Sequence, residues 1–212
     1  MVVIFDLDGT LVDTYPVIRK TLIEVFDNYL PDLKYDEELL KGFFGPTLVE
    51  SFSKLTNDDK LTQDLIAVYR KINSVYYERE LELFPDAVEA LEKISKDNKL
   101  AILSNRIQSL VDVALVKTKI GKYFETILGV DSIPKPKPEP DGINQILEKY
   151  KTKSAVFIGD ALTDVITAQR AGIISIGVTW ALTKRHEFEE INTDYIADDF
   201  EELIRILEEI NV

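Results

Sequence analysis

The stretch "IFDLDGT", Ile4 to Thr10, decides how the rest of the chain is read. A run of buried-type residues, Val2 to Phe5, ends abruptly in Asp6, and a second carboxylate follows at Asp8. In an extended strand residues i and i+2 share a face and stand roughly 7 Å apart along the chain. Asp6 and Asp8 would therefore repel one another or share a cation. A β-hairpin is the competing reading, because Asp-Gly between apolar runs is a strong two-residue turn signal. Turn chemistry accounts for Gly9 but leaves Asp6 without a purpose.

Working outward, short apolar runs recur, each ending in polar or glycine punctuation. "LAIL" (Leu100 to Leu103) ends at Ser104, "AVFI" (Ala155 to Ile158) at Gly159 and Asp160, and "IISIGV" (Ile173 to Val178) at Thr179. Helical periodicity lies between and after them: Val88, Leu91 and Ile94; Ile143, Ile146, Leu147 and Tyr150; and Phe200, Leu203, Ile204, Leu207 and Ile210. Four-residue apolar strands alternating with amphipathic helices indicate βαβ units and a parallel sheet covered on both faces. The expected fold class is thus α/β, a doubly wound, Rossmann-like parallel sheet.

One region breaks the alternation. From Tyr15 to Phe84 the periodicity is helical throughout: Ile18, Leu22, Val25, Phe26 and Tyr29 form a stripe, and "TQDLIAVYRKINSVYYERELE" reads as a longer helix. "GFFGPTLVESF", Gly42 to Phe52, reads as a loop broken at Gly45 and Pro46 before another helix. The expected organisation is a catalytic core of residues 1–14 and 85–212 with a small all-helical cap, 15–84, inserted after the first strand.

Composition narrows the function. Of 212 residues, 45% are hydrophobic and 30% charged, which is globular. A net charge of −13 argues against nucleic-acid or anionic-membrane partners, since either needs a basic face. It also means that an anionic substrate must be drawn in by a local positive site. Without cysteine, thiol nucleophiles and thiolate metal sites are unavailable. The single histidine, His186, lies in the polar run "TKRHEFEE" and reads as a surface residue. No stretch approaches the roughly 20 apolar residues of a membrane span, and the apolar start is too short for a signal peptide, so a cytoplasmic protein is expected.

Ligands of open parallel sheets bind at the carboxyl ends of the strands. Four polar groups fall there: Asp6 with Asp8; Ser104 with Asn105; "PKPKPEP", Pro134 to Pro140; and Asp160 with Asp164 in "GDALTD". Singly, each has an ordinary explanation as a helix cap, a stiff loop or a favourable charge at a helix start. Jointly they supply phosphoryl transfer. Asp6 can attack phosphorus and form an acyl phosphate. Asp8 can protonate the leaving oxygen and later deprotonate water. Ser104, Asn105 and an ammonium, Lys135 or Lys137, can hold the phosphoryl oxygens. Asp6 and Asp160, supported by Asp164, suit Mg²⁺. Enzymes accelerate phosphate monoester hydrolysis by up to ~10²¹-fold, and acid–base catalysis alone supplies only about 10² to 10⁴. Nucleophile, metal and charge clamp must all contribute.

On "DLDGT", "LAILSN", the lysine-proline run "KPKPEP" and "GDALTD", occurring in that order, the chain resembles the haloacid dehalogenase-like hydrolases, specifically the phosphatases with a helical cap. The resemblance implies Asp6 as nucleophile and Asp8 as general acid/base. It implies Mg²⁺ held by the carboxylates of Asp6 and Asp160 and the backbone carbonyl of Asp8, with Asp164 in support. Ser104, Asn105 and a lysine would bind phosphate, helped by Thr10 and the Gly9 backbone; the family's interval to the "GD" aspartate selects Lys135. The family's dehalogenases lack a carboxylate at the position of Asp8, which favours a phosphatase. Where relatives often have glycine after the tryptophan of "VTWAL", this chain has Ala181. The cap segments resemble phosphoglycolate phosphatases and a related pyrophosphate-hydrolysing group, with Arg70 and Asn73 implied as substrate contacts. The expected function is Mg²⁺-dependent hydrolysis of a small phosphorylated metabolite, phosphoglycolate-like, by a monomer or homodimer without nucleic-acid or membrane partners. Pyrophosphatase, sugar phosphomutase and, more distantly, a non-catalytic phosphoacceptor module are the alternatives.

Overall fold

The computed structural model describes residues 1–44 and 47–210; Gly45 and Pro46, expected as loop breakers, lie outside them. Contacts divide the chain into two compact units, one of Met1–Asp13 with Glu82–Val212 and one of Thr14–Leu81.

The first unit is a six-stranded sheet with every neighbouring pair parallel. Its strands are β1 (Val2–Phe5), β4 (Lys99–Leu103), β5 (Phe124–Leu128), β6 (Ala155–Gly159), β7 (Ile174–Val178) and β8 (Tyr195–Ala197), in the order β5-β4-β1-β6-β7-β8. β1 is central, and the chain first builds outward to β4 and β5, then returns to β6 on the other side. That reversal beside β1 creates the crevice where doubly wound sheets bind ligands. A two-stranded antiparallel ribbon, β2 (Val12–Asp13) with β3 (Glu82–Leu83), completes the set of strands among the described residues. The hairpin reading of Asp8-Gly9 fails because β1 is hydrogen-bonded along both edges to β4 and β6.

β1 and β6 are buried throughout, and β4 and β7 at every position but their first, as a sheet covered on both faces requires. Val2 and Ile4 point to one face, where they join Phe157, Ala101 and Leu103 under Ile143 and Ile146 of α7 (Asp141–Tyr150) and Ala168 of α8 (Leu162–Ala171). By alternation, Val3 and Phe5 face the other side. α5 (Ala87–Ile94) and α10 (Phe200–Ile210) pack against each other and bury Leu91, Ile94, Leu203 and Leu207. α6 (Gln108–Thr118) and the short α9 (Arg185–Glu190) complete this unit, with His186 exposed on α9. β5 and β8 were not anticipated: "FETIL" alternates buried and exposed positions, and "YIA" is three residues long, so neither shows the continuous apolar run of the others.

The second unit is entirely helical among its described residues: α1 (Tyr15–Tyr29), α2 (Glu37–Lys41), α3 (Leu48–Ser53) and α4 (Asp59–Glu80). Starts are marked by Asp36 accepting from Leu39 N–H, Thr47 in a reciprocal capping box with Glu50, and Asp58 accepting from Lys60 and Leu61 N–H. Leu22, Val25, Phe26, Leu40, Phe43, Phe52, Leu65, Ile66 and Tyr69 form the core, with rings meeting edge-on from Phe26 through Phe43 and Phe52 to Tyr69. The expected α1 stripe holds except at Tyr29, which is exposed beside the helix end. The unit ends at Leu81 rather than at residue 84 because Glu82 and Leu83 pair with Asp13 and Val12 as β3.

Candidate active site

Asp6, Ser104 and Asp160 each stand one residue beyond a strand of the sheet, and the ladder continues into them. Asp6 N–H donates to Ile158 O at 2.8 Å and Ser104 N–H to Leu128 O at 2.9 Å. Sheet register thus fixes Asp6 and Ser104, and all three residues are buried. α8 fixes Asp164: at the third helical position its Oδ2 accepts from Ala161 N–H at 3.0 Å, satisfying a donor that the helix start leaves open. The close approach needs Gly159, since a Cβ there would fall 2.3 Å from Asp164 Cγ.

Asp6, Asp160 and Asp164 bring carboxylate oxygens within 4.8 Å of one another. Lys137 Nζ lies 2.6 Å from Asp164 Oδ1, as a hydrogen bond, and 2.9 Å from Asp6 Oδ1. The second contact has ion-pair distance but not hydrogen-bond direction, so the buried Asp6 Oδ1 is without a hydrogen-bond partner. When all are ionised, three carboxylates against one ammonium leave two negative charges unmatched among buried side chains. Burial pushes the Asp6 carboxyl up to about 7 against the pull of Lys137, with Asp164 and Asp8 adding to the rise. Asp160 is also raised well above the carboxylate range, by burial first and then by Asp6 and Asp164. Burial opposes the Lys137 charge, yet Asp164 and Asp6 outweigh it and hold the ammonium above its ordinary value.

These observations fit a bound divalent cation. The donor set is all hard oxygen, as Mg²⁺ prefers, one buried carboxylate oxygen lacks a hydrogen bond, and the charge deficit is two. A cation there also lets Asp6 ionise near neutral pH.

The lysine assignment is corrected. Lys135 is exposed, whereas Lys137 is 6% exposed and lies among the carboxylates. Asn105 explains the placement: its Oδ1 accepts from Lys137 N–H at 2.9 Å and its Nδ2 donates to Lys137 O at 3.1 Å, clamping that backbone. Asn105 therefore orients Lys137. Gly9 and Thr10, also expected at the phosphate, have partners within the chain. Gly9 N–H donates to Val12 O at 2.8 Å, and the buried Thr10 hydroxyl donates to Asp160 Oδ1 at 3.0 Å. Gly9 instead makes room: at φ +83°, a Cβ would lie 2.2 Å from Asp160 Oδ2. Ser104 Oγ accepts from Arg106 N–H at 3.1 Å, which leaves its own proton available to an anion.

Asp8 is half-buried, and its Oδ2 accepts from Arg106 Nε at 2.7 Å. Arg106 was missed in the sequence. A cation just before α6 sits where the helix dipole disfavours positive charge, and that anomaly was the available signal. In the helical unit, Arg70 is exposed on α4. Asn73, the other expected substrate contact, is buried there and donates to Thr21 Oγ1 of α1 at 3.2 Å, joining the two helices.

A family model described as haloacid dehalogenase-like hydrolase matches residues 3–178. Pyrophosphatase PpaX of Bacillus cereus (strain Q1) is 29% identical over 212 residues, covering 99% of this chain and 97% of the relative. A solved haloacid dehalogenase-like hydrolase of Streptococcus pneumoniae superposes with a TM-score of 0.88 at 28% identity, covering 97% of each chain. A Haemophilus somnus protein named as a predicted phosphoglycolate phosphatase superposes with a TM-score of 0.85 at 23% identity and 97% coverage of each, a likeness of fold.

Proposed function

Because the chain belongs to the haloacid dehalogenase-like hydrolases and is a phosphatase among them, we propose that it hydrolyses a small phosphorylated metabolite through an aspartyl phosphate on Asp6, with Mg²⁺ bound by Asp6, Asp160, the Asp8 carbonyl and Asp164. The cluster of Asp6, Asp160 and Asp164 around Lys137 carries the reading. Bound Mg²⁺ supplies positive charge that lowers the Asp6 pKa and offsets charge on the phosphoryl oxygens.

An Asp6 carboxylate oxygen attacks phosphorus as the bond to the leaving oxygen breaks, and Asp8 gives that oxygen its proton. Lys137 and the Ser104 hydroxyl hold the phosphoryl oxygens. Asp8, now ionised, takes a proton from water as the water oxygen attacks phosphorus. The bond to Asp6 breaks, inorganic phosphate leaves, and Asp6 and Asp8 regain their starting states. Arg106, paired to Asp8 Oδ2, holds that carboxylate in place between the two halves.

Bound Mg²⁺ together with Lys137 and Arg106 would answer the charge problem posed by a chain of net charge −13. Phosphoglycolate is the first substrate reading, on the likeness of the cap segments to phosphoglycolate phosphatases. Pyrophosphate is the second reading, favoured by the pyrophosphatase relative matched along 97% of its length. In this account the helical unit is the specificity cap, with Arg70 as its substrate contact, and the enzyme works in the cytoplasm. No helix among the described residues is long and apolar enough to cross a membrane.

The test is a kinetic panel of phosphoglycolate, pyrophosphate, sugar phosphates and p-nitrophenyl phosphate with Mg²⁺, for the unaltered protein and Asp6→Asn. Phosphate release that falls by roughly 10⁴-fold or more in the variant is expected for loss of a nucleophile. Equal activity in both proteins contradicts the mechanism, and phosphate moved between sugar positions without net release identifies a mutase instead.

A further inference from the structure

Trp180 is the chain's only tryptophan, and it stands two residues past the end of β7, in the segment "VTWAL". Its indole is held on two sides: the ring lies 4.4 Å from the Phe200 ring at 32°, and 6.5 Å from the Phe84 ring at 62°. Nε1–H donates to the carbonyl of Thr10 at 3.0 Å. Indole nitrogen donates and never accepts, so this bond has one direction and fixes where the Thr10 peptide sits.

Thr10 is fully buried, and its hydroxyl donates to Asp160 Oδ1 at 3.0 Å. The adjacent Gly9 lies against the other oxygen of the same carboxylate, closely enough that a Cβ there would sit 2.2 Å from Asp160 Oδ2. The Thr10 side chain thus holds one oxygen of Asp160 while Gly9 lies against the other, and Trp180 anchors the Thr10 carbonyl between them.

We propose that Trp180 is a positioning residue for the metal-binding carboxylate of Asp160, acting through Thr10. The proposal rests on the reading of Asp160 as a Mg²⁺ ligand. Groups that orient metal ligands typically change metal affinity by about 10- to 100-fold when removed. Trp180 acts one bond further out than Thr10, so Trp180→Phe, which keeps an aromatic ring but loses the donor, falls at the low end, near tenfold. Thr10→Val, which removes the hydroxyl at nearly constant shape, loses more. Because both act along one path, the double variant binds no more weakly than Thr10→Val alone.

The experiment measures Mg²⁺ affinity of the substrate-free protein by titration calorimetry, with melting temperature alongside. Phe84→Leu is the control, since it trims packing against the same indole and leaves its hydrogen bond in place: it lowers the melting temperature and leaves Mg²⁺ affinity unchanged. Trp180 also reports on itself, because its emission is the chain's only tryptophan signal; Mg²⁺ shifts it in the unaltered protein and fails to do so in Thr10→Val. Unchanged Mg²⁺ affinity in Trp180→Phe, or additive losses in the double variant, overturns the proposal alone. Absence of Mg²⁺ binding in the unaltered protein overturns the reading of Asp160 itself, and this proposal with it.

Discussion

Lys137 carries the sharpest prediction at the scale of single residues. Its ammonium meets Asp164 at 2.6 Å and Asp6 at 2.9 Å, while Lys135 is exposed two residues away. Lys137→Ala should cost about 10² to 10³ in kcat/KM, the usual loss when one donor to a reacting anion is removed. Lys135→Ala should leave kcat/KM within about twofold. Steady-state kinetics on the two variants decide between them, and the reverse order would restore the family interval as the better guide. Beyond the family interval, which selects Lys135, nothing in the sequence separates the two lysines, because each precedes a proline in a loop and loops have no period to assign a direction. What separates them is Asn105, 32 positions from Lys137, clamping its backbone. The carboxylates were legible because they end strands, where register fixes direction. Arg106 was not, because its partner Asp8 lies 98 positions away.

Among elements, the turn after β1 ties the sheet to the site. Gly9 stands at φ +83° with Asp160 against the place a side chain would occupy. Alanine there meets two costs: the left-handed conformation, about 1–2 kcal/mol, and displacement of a candidate metal carboxylate. Gly9→Ala should lower the melting temperature and raise the Mg²⁺ concentration for half-maximal activity by about tenfold or more. A melting loss with unchanged Mg²⁺ dependence would leave the conformational cost as the whole effect. Four of the six sheet strands could be read from continuous apolar runs, because burial on both faces demands them. β5 and β8 escaped that signal: β5 buries alternate positions in an edge strand, and β8 is too short to form a run. The helical unit was visible as a sustained 3.6-residue period. Its ends were less so, since Glu82 and Leu83 become strand only by pairing with residues 12 and 13.

For the whole molecule, the buried carboxylates make stability depend on pH and metal together. The folded-state pKa of Asp6 is about 7, against an ordinary value of 3.8, and Asp160 moves the same way. A raised carboxyl pKa favours the fold while the group is protonated. That contribution is complete below pH about 3.8 and is lost as pH rises through about 7. Without divalent ions, the melting temperature should therefore fall between pH 5 and pH 8, and Asp6→Asn should flatten the fall. Mg²⁺ should restore stability most at the alkaline end, where the carboxylates are free to bind it. A melting temperature that rises across this range in chelator, by scanning fluorimetry, would contradict the sign. The charge arrangement serves catalysis in the same way, since a site with two unmatched negative charges calls for a cation before it can receive an anion. The central claim, that Asp6 is the group that carries phosphate, is tested most directly by borohydride trapping. Protein quenched while turning over p-nitrophenyl phosphate with Mg²⁺, then reduced and digested, should yield the peptide spanning Asp6 with that residue converted to homoserine, as only an acyl phosphate allows. Turnover with Asp6 recovered unmodified, or with homoserine at another aspartate, would contradict it.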